Sequence, residues 1–254
     1  MHPASSRVVL TACVGFSLLS GCRHVPTAKE CETSDIHYDL GVNALTQGNM
    51  QEAYGEFDSA LKLCEHNERA HNALGQLLHL QYHKVKEAKE HYLRALEIDP
   101  TFTDARVNLG NLYLDQNDYA KAIELYEQAL NDMRYPTPYI ARANLGWAEY
   151  KRGNVDQAID AIRSAITLNP KFCLGYRNLG TIYDETGRTE KACEQFAHFR
   201  EQCPDAAEAY YREALCVAKL GRVSDAKNLF AQCEAKAPVG DLKDNCHRLG
   251  EQLQ

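Results

Sequence analysis

Residues 108–170 read NLGNLYLDQNDYAKAIELYEQALNDMRYPTPYIARANLGWAEYKRGNVDQAIDAIRSAITLNP, one helical hairpin and then its near copy. Asn108-Leu109-Gly110 returns as Asn144-Leu145-Gly146, Ala122 as Ala158 and Ala129 as Ala165, each after 36 residues, and a proline near each end stops the helix. Repetition at such a period implies stacked supersecondary units, none of which buries its apolar face without a neighbour.

The copy extends in both directions. A small residue recurs at Gly41, Gly75, Gly110, Gly146, Gly180 and Ala214, and a second series follows at Ala53, Ala88, Ala122, Ala158, Ala192 and Ala226. Small side chains at these two places let the paired helices of a hairpin approach closely. Four residues after five of the alanines come Phe57, Tyr92, Tyr126, Phe196 and Phe230, on the same helical face. Turn signals such as Gln47-Gly48-Asn49 and Arg152-Gly153-Asn154 separate the two series, and Pro100, Pro170, Pro204 and Pro238 close repeats. The pattern resembles the tetratricopeptide repeat, which implies an all-α superhelix of six hairpins at 34–67, 68–102, 103–136, 139–172, 173–206 and 207–240, with 241–254 as a solvated capping helix.

Two departures carry expectations. The late small position holds Ala60, Ala95, Ala129 and Ala165 but then Phe199 and Cys233, so the last two hairpins must pack differently. Tyr135-Pro136-Thr137-Pro138 adds two residues at a stiff joint, a point at which the stack could divide in two.

Composition limits the function. With 44% hydrophobic and 25% charged residues, most of the 254-residue chain must fold. A net charge of −7 without a basic run excludes the electrostatic footprint of a nucleic-acid binder. Arg7 followed by the small and apolar run Val8–Leu19 reads as a signal peptide over 1–21. Leu19-Ser20-Gly21-Cys22 resembles the lipobox of bacterial lipoproteins, which implies acylation of Cys22. Arg23 lacks the aspartate that retains such proteins at the inner membrane, so the resemblance implies an outer-membrane anchor facing the periplasm, with 22–33 as an acylated tether.

The ten cysteines fit an oxidising compartment. Setting aside Cys13 and Cys22, eight remain, which allow 105 pairings. Residues equidistant from the turn of an antiparallel hairpin lie level, so a bonded pair has its midpoint at a turn. One pairing satisfies this throughout: Cys31 with Cys64, Cys173 with Cys203, Cys193 with Cys216, and Cys233 with Cys246.

Catalytic candidates are few. His66, His71, His79, His83 and His91 crowd the second repeat, and His79 with His83 has the i, i+4 spacing of helical metal ligands. No glutamate follows His79, and His83 is expected in the turn, which breaks that geometry. The chain has no CxxC pair, GxSxG, phosphate loop or dinucleotide fingerprint, so no catalytic residue, metal or cofactor is assigned, and no small-molecule substrate.

A surface remains. The first helix of each hairpin should line the concave side, presenting Tyr38, Val42 and Leu45, then Asn72, Gln76 and His79, then Val107, Asn111 and Leu114, then Ala143, Trp147 and Tyr150. Aliphatic and aromatic walls with scattered amides suit an extended peptide or a partner helix. Trp147, the only tryptophan, is either an anchor for a partner or packed between helices. Asn108, Asn144 and Asn178 form a candidate ladder of amides along a bound backbone.

Lipobox, six repeats and the segment from Tyr135-Pro136-Thr137-Pro138 to Phe172-Cys173 are together similar to the type IV pilus pilotins of the Tgl and PilW type, and most like the form in gliding deltaproteobacteria. That resemblance implies a scaffold that helps secretin subunits assemble into an outer-membrane ring for the pilus. The alternative from the residues is a lipoprotein adaptor that docks cell-wall enzymes.

Overall fold

A computed structural model describes residues 25–253. The expected signal peptide and Cys22 lie outside them. Thirteen helices follow one another, and no strand occurs among the described residues. Six antiparallel pairs make up the body: α1 (Ala28–Thr46) with α2 (Met50–Leu63), α3 (Glu68–Leu80) with α4 (Val85–Ile98), and α5 (Thr103–Asp115) with α6 (Tyr119–Leu130). Then come α7 (Pro138–Lys151) with α8 (Val155–Leu168), α9 (Cys173–Glu185) with α10 (Thr189–Gln202), and α11 (Ala207–Lys219) with α12 (Val223–Lys236), and α13 (Asp241–Gln252) closes the stack. The fold is the all-helical superhelix the repeat pattern implies.

Each hairpin closes on one small residue. A Cβ on Gly41 would stand 2.5 Å from the Phe57 ring, on Gly110 2.7 Å from Tyr126, and on Gly180 2.6 Å from Phe196. At Gly146 the neighbours are Ile162 at 2.7 Å and the carbonyl oxygen of Ala158 at 2.9 Å. In the first, third and fifth hairpins the aromatic of the second helix therefore lies flush against bare backbone of the first, and in the fourth Ile162 takes its place. Every hairpin turn also places one residue in the left-handed region: glycine in four of them, but His83 (φ 52°) and Asn117 (φ 61°) in the second and third. His83 thus sits in a turn, off the helical face of His79.

Buried polar links join successive hairpins. Asn67 caps α3 by accepting from the Ala70 N–H at 2.9 Å, donates to Ser34 Oγ at 2.9 Å, and Ser34 donates to the Ala60 carbonyl at 2.8 Å. Each of these groups is satisfied away from water, as burial requires.

Two differences from expectation stand out, in the tether and at the joint. The tether assigned to 22–33 ends early, because α1 begins at Ala28 under a capping box in which Glu30 N–H donates to Thr27 Oγ1 and Thr27 N–H to Glu30 Oε2. Thr27-Ala28-Lys29-Glu30 therefore reads as a helix start, and Cys31 stands inside the helix. Nor does the stack divide at Pro136: Tyr135 is buried, and one apolar cluster runs across the joint from Val107 and Tyr126 to Ala141 and Ala148. At the late small position both exceptions are buried, Phe199 against the core and Cys233 in a bond to Cys246 that ties α13 to the last hairpin.

The structure joins the four pairs Cys31–Cys64, Cys173–Cys203, Cys193–Cys216 and Cys233–Cys246, at Cα separations of 4.9, 6.1, 5.4 and 6.0 Å, all within cystine range. The first two link the outer ends of a hairpin, the third links successive hairpins, and the fourth holds the cap.

In the second hairpin, His71 on α3 and His91 on α4 bring their Nδ1 atoms to 2.9 Å, and His71 Nε2 lies 3.2 Å from the Glu65 carbonyl. Nε2–H donation to that carbonyl leaves His71 Nδ1 to accept from His91. Burial first, and then the facing imidazole, push His71 from 6.5 down to about 4, and burial lowers His91 as well. Glu87, Glu90 and Asp58 around His91 oppose the shift without cancelling it.

Two outcomes follow. Gly146→Ala, which presses a methyl group on the Ala158 carbonyl, should cost about 1–3 kcal/mol, whereas Gly55→Ala, on an open helix face, should add up to about 1 kcal/mol; urea denaturation distinguishes them. For His71 the unfolded chain binds the proton more readily, so stability is full above about pH 6.5 and falls as the pH drops toward about 4. The urea midpoint should decline between about pH 7 and about pH 5, and His71→Leu should flatten that decline.

Candidate functional site on the inner face

The first helices of successive hairpins touch one another, α1 with α3, α3 with α5, α5 with α7 and α7 with α9, and so form the inner wall of the superhelix. Along the first four repeats this wall opens into a cleft of about 630 Å³. Tyr38, Asn72, Gln76, Val107 and Asn111 line it, five of the twelve residues expected for the groove.

The other seven stand elsewhere. Val42 is exposed on α1, and Leu45 and Leu114 pack into the hairpin cores, because four residues beyond the small position the helix face has turned toward its partner. Trp147 and Tyr150 lean on the C-terminal core cluster, their rings 5.4 Å apart, with the Lys151 ammonium 4.7 Å from the Trp147 ring. The Tyr150 hydroxyl donates to Glu185 of the next hairpin. Trp147 is thus half-buried between hairpins and outside the cleft. His79 is buried, with Nε2 3.1 Å from Asp115, and Ala143 is buried as well.

Sequence reasoning did not single out Phe102, Asp104, Tyr135 and Ile140, which complete the lining with Glu68, Arg69, Asn108 and Thr137. A positional signal was available. Arg69, Asp104 and Ile140 each lie six residues before the small position of their repeat, one turn above Asn72, Val107 and Ala143 at three before it.

The floor is built of amides. Asn108 Nδ2–H donates to Asn72 Oδ1 at 3.0 Å, and Asn144 Nδ2–H to Asn111 Oδ1 at 2.8 Å, where the Tyr126 hydroxyl also donates at 2.7 Å. Asn108 and Asn144 therefore pair with amides of the preceding repeat, whereas Asn178 accepts from the adjacent Arg177. The pairs fix the side chains in place, and Gln76 stands exposed beside them.

Charge at the cleft collects at one end. Glu68 and Asp104 lie in the first turns of α3 and α5. Arg69 covers the Tyr38 ring at 4.1 Å and approaches Asp39 at 3.6 Å. Surrounding atoms raise the Asp104 carboxyl above its ordinary range. Such an arrangement can hold a polypeptide by hydrogen bonds and contact. Among the described residues no group of three or more histidines, cysteines or carboxylates could hold a metal, and no helix is long and apolar enough to cross a membrane.

Comparison with known proteins agrees with this architecture. The sequence matches the tetratricopeptide repeat over residues 38–101, 107–171 and 177–238. The crystal structure of PilW, a type IV pilus biogenesis factor, superposes with a TM-score of 0.74 at 25% identity, over 84% of this chain and 98% of that one. The type IV pilus assembly protein PilF of Pseudomonas aeruginosa is 27% identical over 138 residues, 54% of each protein, and a PilF structure superposes with a TM-score of 0.70. Mouse superkiller complex protein 3 is 24% identical over 78% of this chain, which spans 13% of that protein; human TOM70 is 21% identical, with 33% of its length spanned. Repeats matched over most of its length place the chain in the tetratricopeptide-repeat family, related within it to the type IV pilus biogenesis proteins PilW and PilF.

Proposed function

We propose that this chain is a lipid-anchored outer-membrane pilotin, which holds secretin subunits at the periplasmic face while they assemble into the channel of a type IV pilus. The observation that carries the reading is the likeness to PilW: 98% of that crystallised chain superposes on this one with a TM-score of 0.74 at 25% identity. Acyl chains on Cys22 would supply the anchor. Only Arg23 to Thr27 then separate the membrane surface from α1, which brings the first hairpin close to the bilayer.

The work is mechanical. A rigid inner wall of packed helices presents one cleft, which takes a secretin segment and shields it until neighbouring subunits associate. The Cys31–Cys64 cystine and the closely packed hairpins keep that wall shaped without a ligand, so binding loses little to ordering. Holding and release need no bond to form or break, and the chain acts as a scaffold without being an enzyme.

In a strain lacking this chain, immunoblots of unboiled envelopes should show secretin monomers in place of multimers, and pili should be absent. Normal multimers in that strain would refute the assignment.

A further inference from the structure

The cleft has a chemistry more specific than its shape. Glu68 and Asp104 stand at the same end of it, and among the described residues no lysine, arginine or histidine pairs with either. Asp115 at the other end of α5, by contrast, lies 3.1 Å from His79 Nε2. The nearest cation of the lining, Arg69, is engaged with the Tyr38 ring and Asp39. Raising of the Asp104 carboxyl by its surroundings means that the folded chain holds this charge at a cost, which a cation brought from outside would offset.

Size limits the length of the occupant. An extended chain fills about 3.3 Å by 4.8 Å by 10 Å per residue, so about 630 Å³ accommodates roughly four residues. The polar floor and apolar walls set its form. Gln76 and the fixed amides of Asn72, Asn108 and Asn111 lie along the floor where donors and acceptors of an extended backbone need partners. Phe102, Tyr135 and Ile140 on the walls suit apolar side chains on alternate residues.

We propose that the cleft takes an extended segment of another polypeptide that carries a lysine or arginine, its backbone on the amide row and its cationic side chain against Asp104 and Glu68. This rests on reading the cleft as a polypeptide-binding site and adds the charge and conformation of what enters it. Opposite charge at one end fixes the direction in which the segment lies, since reversing it would place the cation among neutral amides.

The test uses the purified mature chain and a displayed library of random twelve-residue linear peptides. Panning is repeated on Asp104→Asn and on Gln76→Trp, which fills the cleft from an exposed position, with circular dichroism confirming that each variant is folded. The expected result is a set of peptides that share a lysine or arginine at a fixed place, fail to bind Gln76→Trp, and bind Asp104→Asn about fivefold more weakly. Peptides that are lost on Gln76→Trp but show no basic preference, or bind Asp104→Asn as well as the parent chain, would overturn the charge inference while leaving the cleft as a binding site. Peptides that bind Gln76→Trp unchanged, or no enrichment at all, would overturn the cleft reading itself.

Discussion

The structure depends on the contact between an aromatic ring and a residue without a side chain. Phe57 on Gly41, Tyr92 on Gly75, Tyr126 on Gly110 and Phe196 on Gly180 repeat the same arrangement, in which a ring on the second helix covers bare backbone on the first. That contact brings the two helices of a hairpin together, and alanines beside it, such as Ala53, Ala88 and Ala122, are wholly buried. With the second helix held behind, the first helices meet one another along the inner wall. The cleft is a consequence of that order, since its lining comes from three or four successive hairpins and belongs to none of them alone.

Much of this was legible because it is local. A glycine, a turn and an aromatic recur at fixed intervals when the contact they make lies within one hairpin, so the period reports the packing directly. Cysteine levels could be compared for the same reason, and the structure joins the four pairs whose midpoints fall at turns. The start of α1 was also written in the sequence, in the capping box from Thr27 to Glu30, although the polar composition around it suggested a tether. What could not be read was where the inner helix turns toward its partner: four residues beyond the small position, Leu45, Leu114 and Tyr150 all fall on core clusters. Trp147 shares the position of Gln76 and Asn111 yet packs on the C-terminal core, beyond the repeats that form the cleft. Asp104 and Ile140 stand one turn before lining positions and were open to a positional reading.

The C-terminal third is braced differently. Where Phe199 and Cys233 replace the usual alanine, three of the four cystines gather, and one of them fixes the capping helix. A terminal repeat has no further neighbour to cover it, so a covalent link there stabilises the end of the stack most exposed to fraying. The cleft lies at the opposite, N-terminal side, beside the expected membrane anchor. Covalent bracing is thus concentrated at the end away from the cleft, with Cys31–Cys64 alone at the cleft end, a distribution that suits a scaffold which must keep its shape while unloaded.

The central claim is that a partner polypeptide is held along the inner wall of the first four hairpins. Hydrogen–deuterium exchange on the whole chain, alone and with the periplasmic region of a type IV pilus secretin as the proposed partner, tests this. Added protection is expected at the inner helices α3, α5 and the start of α7, with α10 and α12 unchanged. Protection confined to the second helices, or to the C-terminal hairpins, would contradict it.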